Sequence, residues 1–147
     1  MSTASTPLTQ EELIQIALAA VPEVFVSSMR SYLVERLDGG NAYYLVKLSD
    51  NQTLMAMVRI EEGTGRVLGH LRLAGSHTVF SVNELAAIKL AGIGTNAKAD
   101  LVWFPSKVSM SPFLPIWRVR NAEQTVYVDQ AGTRWSTLPA INTNNLV

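Results

Sequence analysis

The sequence predicts an α+β fold: a tandem repeat of two modules, each one helix followed by an antiparallel sheet of about four strands. Two observations predict it. The stretch Thr9–Ala20 (TQEELIQIALAA) recurs at an offset of 72 residues as Ser81–Gly92 (SVNELAAIKLAG), with Thr9 matching Ser81, Glu12 matching Glu84 and Ile16 matching Ile88. Each copy is then followed by short runs that alternate apolar and polar residues between turn residues, the pattern of half-buried strands.

The elements follow in order. Residues Met1–Leu8 are small and polar and are expected to be disordered. Each helix opens on a hydroxyl residue with glutamate three places on. A capping box of this kind satisfies orphan backbone donors from both sides. The first helix is expected from the Thr9 cap to about Val21, with Leu13, Ile14, Ala17, Leu18 and Val21 on one face; Pro22 ends it. In Phe25–Leu37 the spacing of Met29, Leu33 and Leu37 suits a helix, while Tyr32 and Val34 suit a strand. The strand is favoured by its place in the repeat. Asp38-Gly39-Gly40-Asn41 reads as a turn, Tyr43–Leu48 as a strand, Asp50-Asn51 as a hairpin turn and Thr53–Glu61 as the returning strand. Arg66–Leu73 completes the first module, with Val67, Leu71 and Leu73 facing one way and Arg66, His70 and Arg72 the other. This alternation predicts an antiparallel sheet with one apolar face under the helix and one wet face.

Ala74-Gly75-Ser76 reads as the joint between repeat 1 (9–75) and repeat 2 (76–140), with 141–147 a polar tail expected to fray. In the second copy, Gly92-Ile93-Gly94 reads as a helix end. Strands follow at Leu101–Phe104, Ile116–Arg120, Thr125–Asp129 and Arg134–Leu138, and Pro105–Pro115 is a loop. Whether the two sheets join or pack against each other is left open by the residues.

Composition narrows function. The 147 residues carry twelve acidic and twelve basic side chains, and 48% are hydrophobic. A neutral chain has no long-range field to gather phosphates, which argues against a nucleic-acid partner. Cysteine is absent, so disulfides and thiolate chemistry are excluded. No apolar run approaches the roughly 20 residues of a spanning helix, and no membrane partner is expected. The N-terminus MSTASTPLTQEE lacks a signal-peptide pattern. The expected location is cytoplasmic, or periplasmic or secreted if these residues continue a longer chain.

Two strand-and-turn motifs, Val58–Leu68 (VRIEEGTGRVL) and Val126–Trp135 (VYVDQAGTRW), resemble the PepSY domain family. Ala99–Pro105 (ADLVWFP) and Pro115–Val119 (PIWRV) are similar to the related propeptide modules of secreted metallopeptidases. The resemblance implies a cystatin/PepSY-like helix-and-sheet module. It also implies binding or inhibition of a peptidase, or an accessory role without catalysis.

Candidate chemistry is sparse. The histidines, His70 and His77, fall on a strand and in a linker; His70 shares its face with Arg66 and Arg72, which would repel a metal cation. No serine sits in a Gly-x-Ser-x-Gly elbow. Gly92-Ile-Gly94-Thr-Asn-Ala97 begins like a dinucleotide fingerprint but follows a helix, where the phosphate loop must follow a strand. Glu61 and Asp129 hold equivalent places before turn glycines, which turn chemistry explains more simply than acid–base work. No catalytic residue, metal ligand or cofactor site is therefore assigned.

The stretch of most functional interest is Trp103–Trp117 (WFPSKVSMSPFLPIW), whose three prolines, two tryptophans and two phenylalanines have no counterpart in the first copy. Its aromatics either finish the core or form a rigid apolar loop that anchors a partner. On the second reading Trp103, Phe104, Met110, Phe113, Leu114 and Trp117 are the partner-binding residues. The expected function is a non-enzymatic binding or inhibitory protein that uses the sheet surface and this loop, its partner a protein such as a peptidase. Two alternatives stand beside it: a small-ligand protein or enzyme with a pocket between helix and sheet, and an assembly module that forms a homodimer through a strand edge.

Overall fold

A computed structural model describes residues 8–73, 82–94 and 96–138. In chain order these form helix α1 (Gln10–Ala20), strands β1 (Ser28–Arg36), β2 (Tyr43–Asp50), β3 (Thr53–Glu61) and β4 (Val67–Arg72), helix α2 (Glu84–Ala91), and strands β5 (Lys98–Trp103), β6 (Ile116–Arg120), β7 (Thr125–Val128) and β8 (Arg134–Trp135). The expectations for Met1–Pro7, for the Ala74-Gly75-Ser76 joint and for the tail from Pro139 lie outside the described residues.

The expected fold class, two tandem modules each with a helix and its own antiparallel sheet of about four strands, is corrected here. The described residues are mostly strand with two short helices, and the eight strands make one sheet in the order β4-β3-β2-β1-β5-β6-β7-β8. Alternation along a strand fixes which side chains share a face. Which edges pair depends on backbone N–H and C=O groups that every residue type carries, so the apolar pattern does not report it.

By its contacts the chain divides into two compact units, the first from Met1–Glu35 and Gly40–Thr78, the second from Arg36–Gly39 and Val79–Val147. In the first unit the Thr9 capping box forms as expected: Glu12 N donates to Thr9 Oγ1, and Thr9 N donates to the Glu12 carboxylate, both at 3.1 Å. Leu13, Ala17 and Val21 recur at helical spacing and are buried against Val46, Leu48, Ala56, Val58 and Ile60 of β2 and β3. Ile16 and Ala20 flank this line, in place of the expected Ile14 and Leu18. Gly65 lies close beneath the helix at φ +74°, where a Cβ would stand 3.4 Å from Ile16 Cδ1. Within Phe25–Leu37 the residues Ser28–Arg36 form a strand; β1 pairs antiparallel with β2, and β2 with β3.

The wet face expected opposite α1 is corrected as well. Val34, Tyr43, Leu45 and Met57 point away from the helix and are fully buried. On that face the Arg59 guanidinium lies 4.5 Å above the Tyr43 ring and Lys47 Nζ 5.8 Å from the Tyr32 ring. Burial, with Arg30 nearby, pushes Lys47 below the ordinary lysine value. The expected alternation of β4 also breaks. A register shift opposite Arg59/Ile60 puts Val67 on the same face as His70, and Leu71, opposite Met57, faces away from the helix.

In the second unit α2 begins two residues later than the repeat implies. Asn83 is the cap, its Oδ1 accepting from Ala86 N at 2.8 Å, and Glu84 stands at the first helical position instead of the third. Ser81 lies outside the described residues. Gly92 closes the helix in the left-handed region, φ +63°, so the glycine pair is a helix terminus as read. Helix α2 contacts β5, β6 and β7 and covers the face that carries Leu101, Trp117, Val119, Val126 and Val128.

Candidate functional site: a braced apolar loop and a cationic sheet face

The second unit holds the whole Trp103–Trp117 stretch. Its two ends are core. Trp117 is 5% exposed and its Nε1 donates to Val82 O at 2.8 Å, which ties β6 to the segment entering α2. Trp103, also 5% exposed, lies 5.0 Å beneath the Arg36 guanidinium, and its carbonyl accepts from Leu37 N at 3.0 Å. Its indole N–H is buried and finds no hydrogen-bond partner among the described residues.

Between them three serines shape the loop. Ser106 is fully buried; its Oγ accepts from Val108 N at 3.2 Å and Ser109 N at 3.3 Å. Ser109 Oγ donates to the carbonyl of Leu114 at 2.7 Å and lies 3.1 Å from that of Ser111, while Ser111 Oγ accepts from Phe113 N at 3.2 Å. Local bonds of this kind give the backbone partners it lacks outside regular structure. Together with Pro105, Pro112 and Pro115, they fix the loop without a helix or strand.

The six candidate residues separate. Trp103 and Trp117 are buried, Phe104 and Phe113 half-buried, and Met110 (68% exposed) and Leu114 (37%) stand out. Met110 and Leu114 line an open groove of about 440 Å³, with Lys107, Val108, Asp129, Gln130 and Ala131 among its other walls. Gln130 Nε2 donates to Pro115 O at 2.9 Å and joins the two walls.

On the face opposite α2, the sequence reading missed a row of side chains running across four strands. Asp100, Arg118, Tyr127 and Trp135 are successive cross-strand partners, and Lys98 stands directly opposite Arg120 in the adjoining pair. Arg118 grips Asp100 through both its Nε (3.1 Å) and a terminal nitrogen (2.6 Å), and Arg120 reaches the same carboxylate at 3.6 Å. The signal was available: Lys98/Asp100 and Arg118/Arg120 are polar pairs at strand spacing, flanked by apolar neighbours.

Comparisons with family models, curated proteins and solved structures return no match.

The carboxylates the sequence raised as acid–base partners hold turns. Asp129 Oδ1 accepts from Ala131 N and Thr133 N, and its Oδ2 from Trp135 Nε1 at 2.9 Å. Glu61 accepts from the Thr64 hydroxyl at 2.7 Å and from Asn41, with Arg66 at 3.5 Å. These contacts, the Thr64 hydroxyl foremost, hold its carboxyl below the ordinary glutamate range. Among the described residues no three His, Asp or Glu side chains converge to hold a metal ion, and no helix is long and apolar enough to cross a membrane.

Proposed function

We propose that this chain is a non-catalytic binding protein whose braced loop, through Met110 and Leu114, anchors a protein partner. The observation that carries the reading is the pairing of exposure with rigidity. Two flexible apolar side chains are held out over a groove by a backbone fixed through Ser106, Ser109 and Ser111. A pre-ordered loop loses little entropy on binding, and methionine adapts to irregular partner surfaces. The use of Asp100, Asp129 and Glu61 as ion-pair and turn acceptors supports a structural role for these acids over proton transfer. A peptidase is the partner class that the PepSY resemblance suggests. The test is capture of partners by immobilised wild type and by a Met110→Ser/Leu114→Ser variant, with folding checked by circular dichroism. Partners lost from the folded variant support the reading; identical capture overturns it.

A second reading, assembly through a sheet edge, is favoured by one observation. Edge strand β4 exposes Val67 (38%) and Leu71 (39%). Light scattering that finds a monomer at every concentration tried would remove it.

A further inference from the structure

Unit by unit, the charges of this neutral chain are uneven. Seven basic and five acidic residues fall in the second unit, and five basic and seven acidic in the first. Three of those seven cations, Lys98, Arg118 and Arg120, lie together on the face opposite α2, beyond the buried Val102–Ile116 pair, with Asp100 among them and Asp129 at the margin, where its Oδ2 accepts from Trp135 Nε1. Arg118 is the structural member of the set: its side chain is 12% exposed and both ends of its guanidinium fork are spent on Asp100. Arg120 is 52% exposed and holds the same carboxylate only at 3.6 Å. Lys98 is exposed, and no described carboxylate stands within ion-pair distance of it.

Two cations directly opposite each other on neighbouring strands repel and weaken the sheet. Neither belongs to the core, since the buried side chains of β5 and β6 belong to the other face or to the Val102–Ile116 pair. Beside them the half-buried rings of Tyr127 and Trp135 extend the same surface, the Trp135 ring fixed by its Nε1 bond to Asp129. Cations at strand spacing next to fixed aromatic rings make a surface that complements carboxylates carried on an extended chain, whose alternate side chains recur about every 7 Å on one side.

We propose that this face of the second unit docks an acidic peptide segment of a partner protein, its carboxylates received by Lys98 and Arg120. The inference deepens the binding reading above and rests on it. A peptide is favoured over nucleic acid because, among the described residues, this face leaves only two cations to pair outward, too few to follow a phosphate backbone, and the chain has no net charge.

The test is a backbone-amide NMR titration with a hexaglutamate peptide at low ionic strength, run beside a six-nucleotide oligothymidylate. The expected result is that hexaglutamate shifts the amides of Lys98, Arg120 and Tyr127. Binding should weaken roughly five- to tenfold in a Lys98→Gln/Arg120→Gln variant, as for the loss of two exposed ion pairs, and should fall as salt is added. An Arg66→Gln/Lys89→Gln variant, which removes the same charge elsewhere, should bind as the wild type does. Shifts spread equally over Arg66, Arg72, Lys89 and Lys107, an unchanged affinity in the Lys98/Arg120 variant, or tighter binding of the oligothymidylate would each overturn the proposal. If a captured partner is retained by the Lys98/Arg120 variant but lost from the Met110/Leu114 variant, the binding reading stands and this inference falls.

Discussion

At the β2–β3 hairpin both loop residues, Asn51 (φ +49°) and Gln52 (φ +68°), occupy the left-handed region, as a type I′ turn requires. Asparagine suits that region, whereas glutamine sits there at a cost of about 1–2 kcal/mol. Glycine would remove the strain but adds about 0.5–1 kcal/mol of backbone entropy to the unfolded chain. Gln52→Gly is therefore expected to stabilise by only about 0.5 kcal/mol, a rise in melting temperature of about 1–2 °C; a fall would show that the turn is not strained. The turn itself was legible from Asp50-Asn51, but its hand was not, because Gln52 carries no turn signal. Glu61 makes a second prediction at this scale. Its folded pKa is lowered, so its carboxylate stabilises the fold fully above the unfolded glutamate value and ceases to do so as pH falls through the lower folded value. The gap in urea midpoint between wild type and Glu61→Gln should therefore be widest at neutral pH and close in acid. A gap independent of pH would contradict that assignment.

Among the elements, the loop from Phe104 to Pro115 depends most on single side chains. Removing the Ser109 hydroxyl leaves the carbonyl of Leu114 without its 2.7 Å donor, and Ser109→Ala should cost about 1 kcal/mol. Hydrogen exchange should quicken at Phe113 and Leu114 while Trp117 stays protected; uniform exchange would mean the serines do not brace the loop. Trp117→Phe removes the bond to Val82 and should lower stability by about 1–3 kcal/mol, measured by urea unfolding, because the buried Val82 carbonyl loses its donor. The same burial makes Trp117 unsuitable for testing binding, where Met110 and Leu114 serve. Most elements were legible, since periodicity marks strands such as β6 and the Thr9 capping box marks α1. The start of α2 was not, because Asn83 caps as well as the serine that the repeat suggested. Burial on both faces of β2 was written in the unbroken run Tyr43-Tyr44-Leu45-Val46, which strict alternation of apolar and polar residues does not allow.

In the molecule as a whole, eight strands form one sheet, and no pattern of side chains announced that. The backbone groups that join strand edges are common to all residues, so a sequence reports faces and turns far better than it reports neighbours. The candidate site was legible in the same uneven way. Aromatic and proline density pointed to Trp103–Trp117, but composition could not separate the tryptophans that complete the core from the methionine and leucine left outside it. The cationic face was half legible: Arg118 and Arg120 share a face by strand spacing, whereas Lys98 comes to stand opposite Arg120 only through strand register. In the proposed function, Met110 and Leu114 present a surface to another protein, while Trp103, Ser106 and Trp117 belong to the core. The measurement that tests it most directly is partner capture by Met110→Ser/Leu114→Ser beside the wild type. The variant should unfold within about 0.5 kcal/mol of wild type, as exposed substitutions do, and should lose at least one partner that the wild type holds. A variant that keeps every partner would contradict that function.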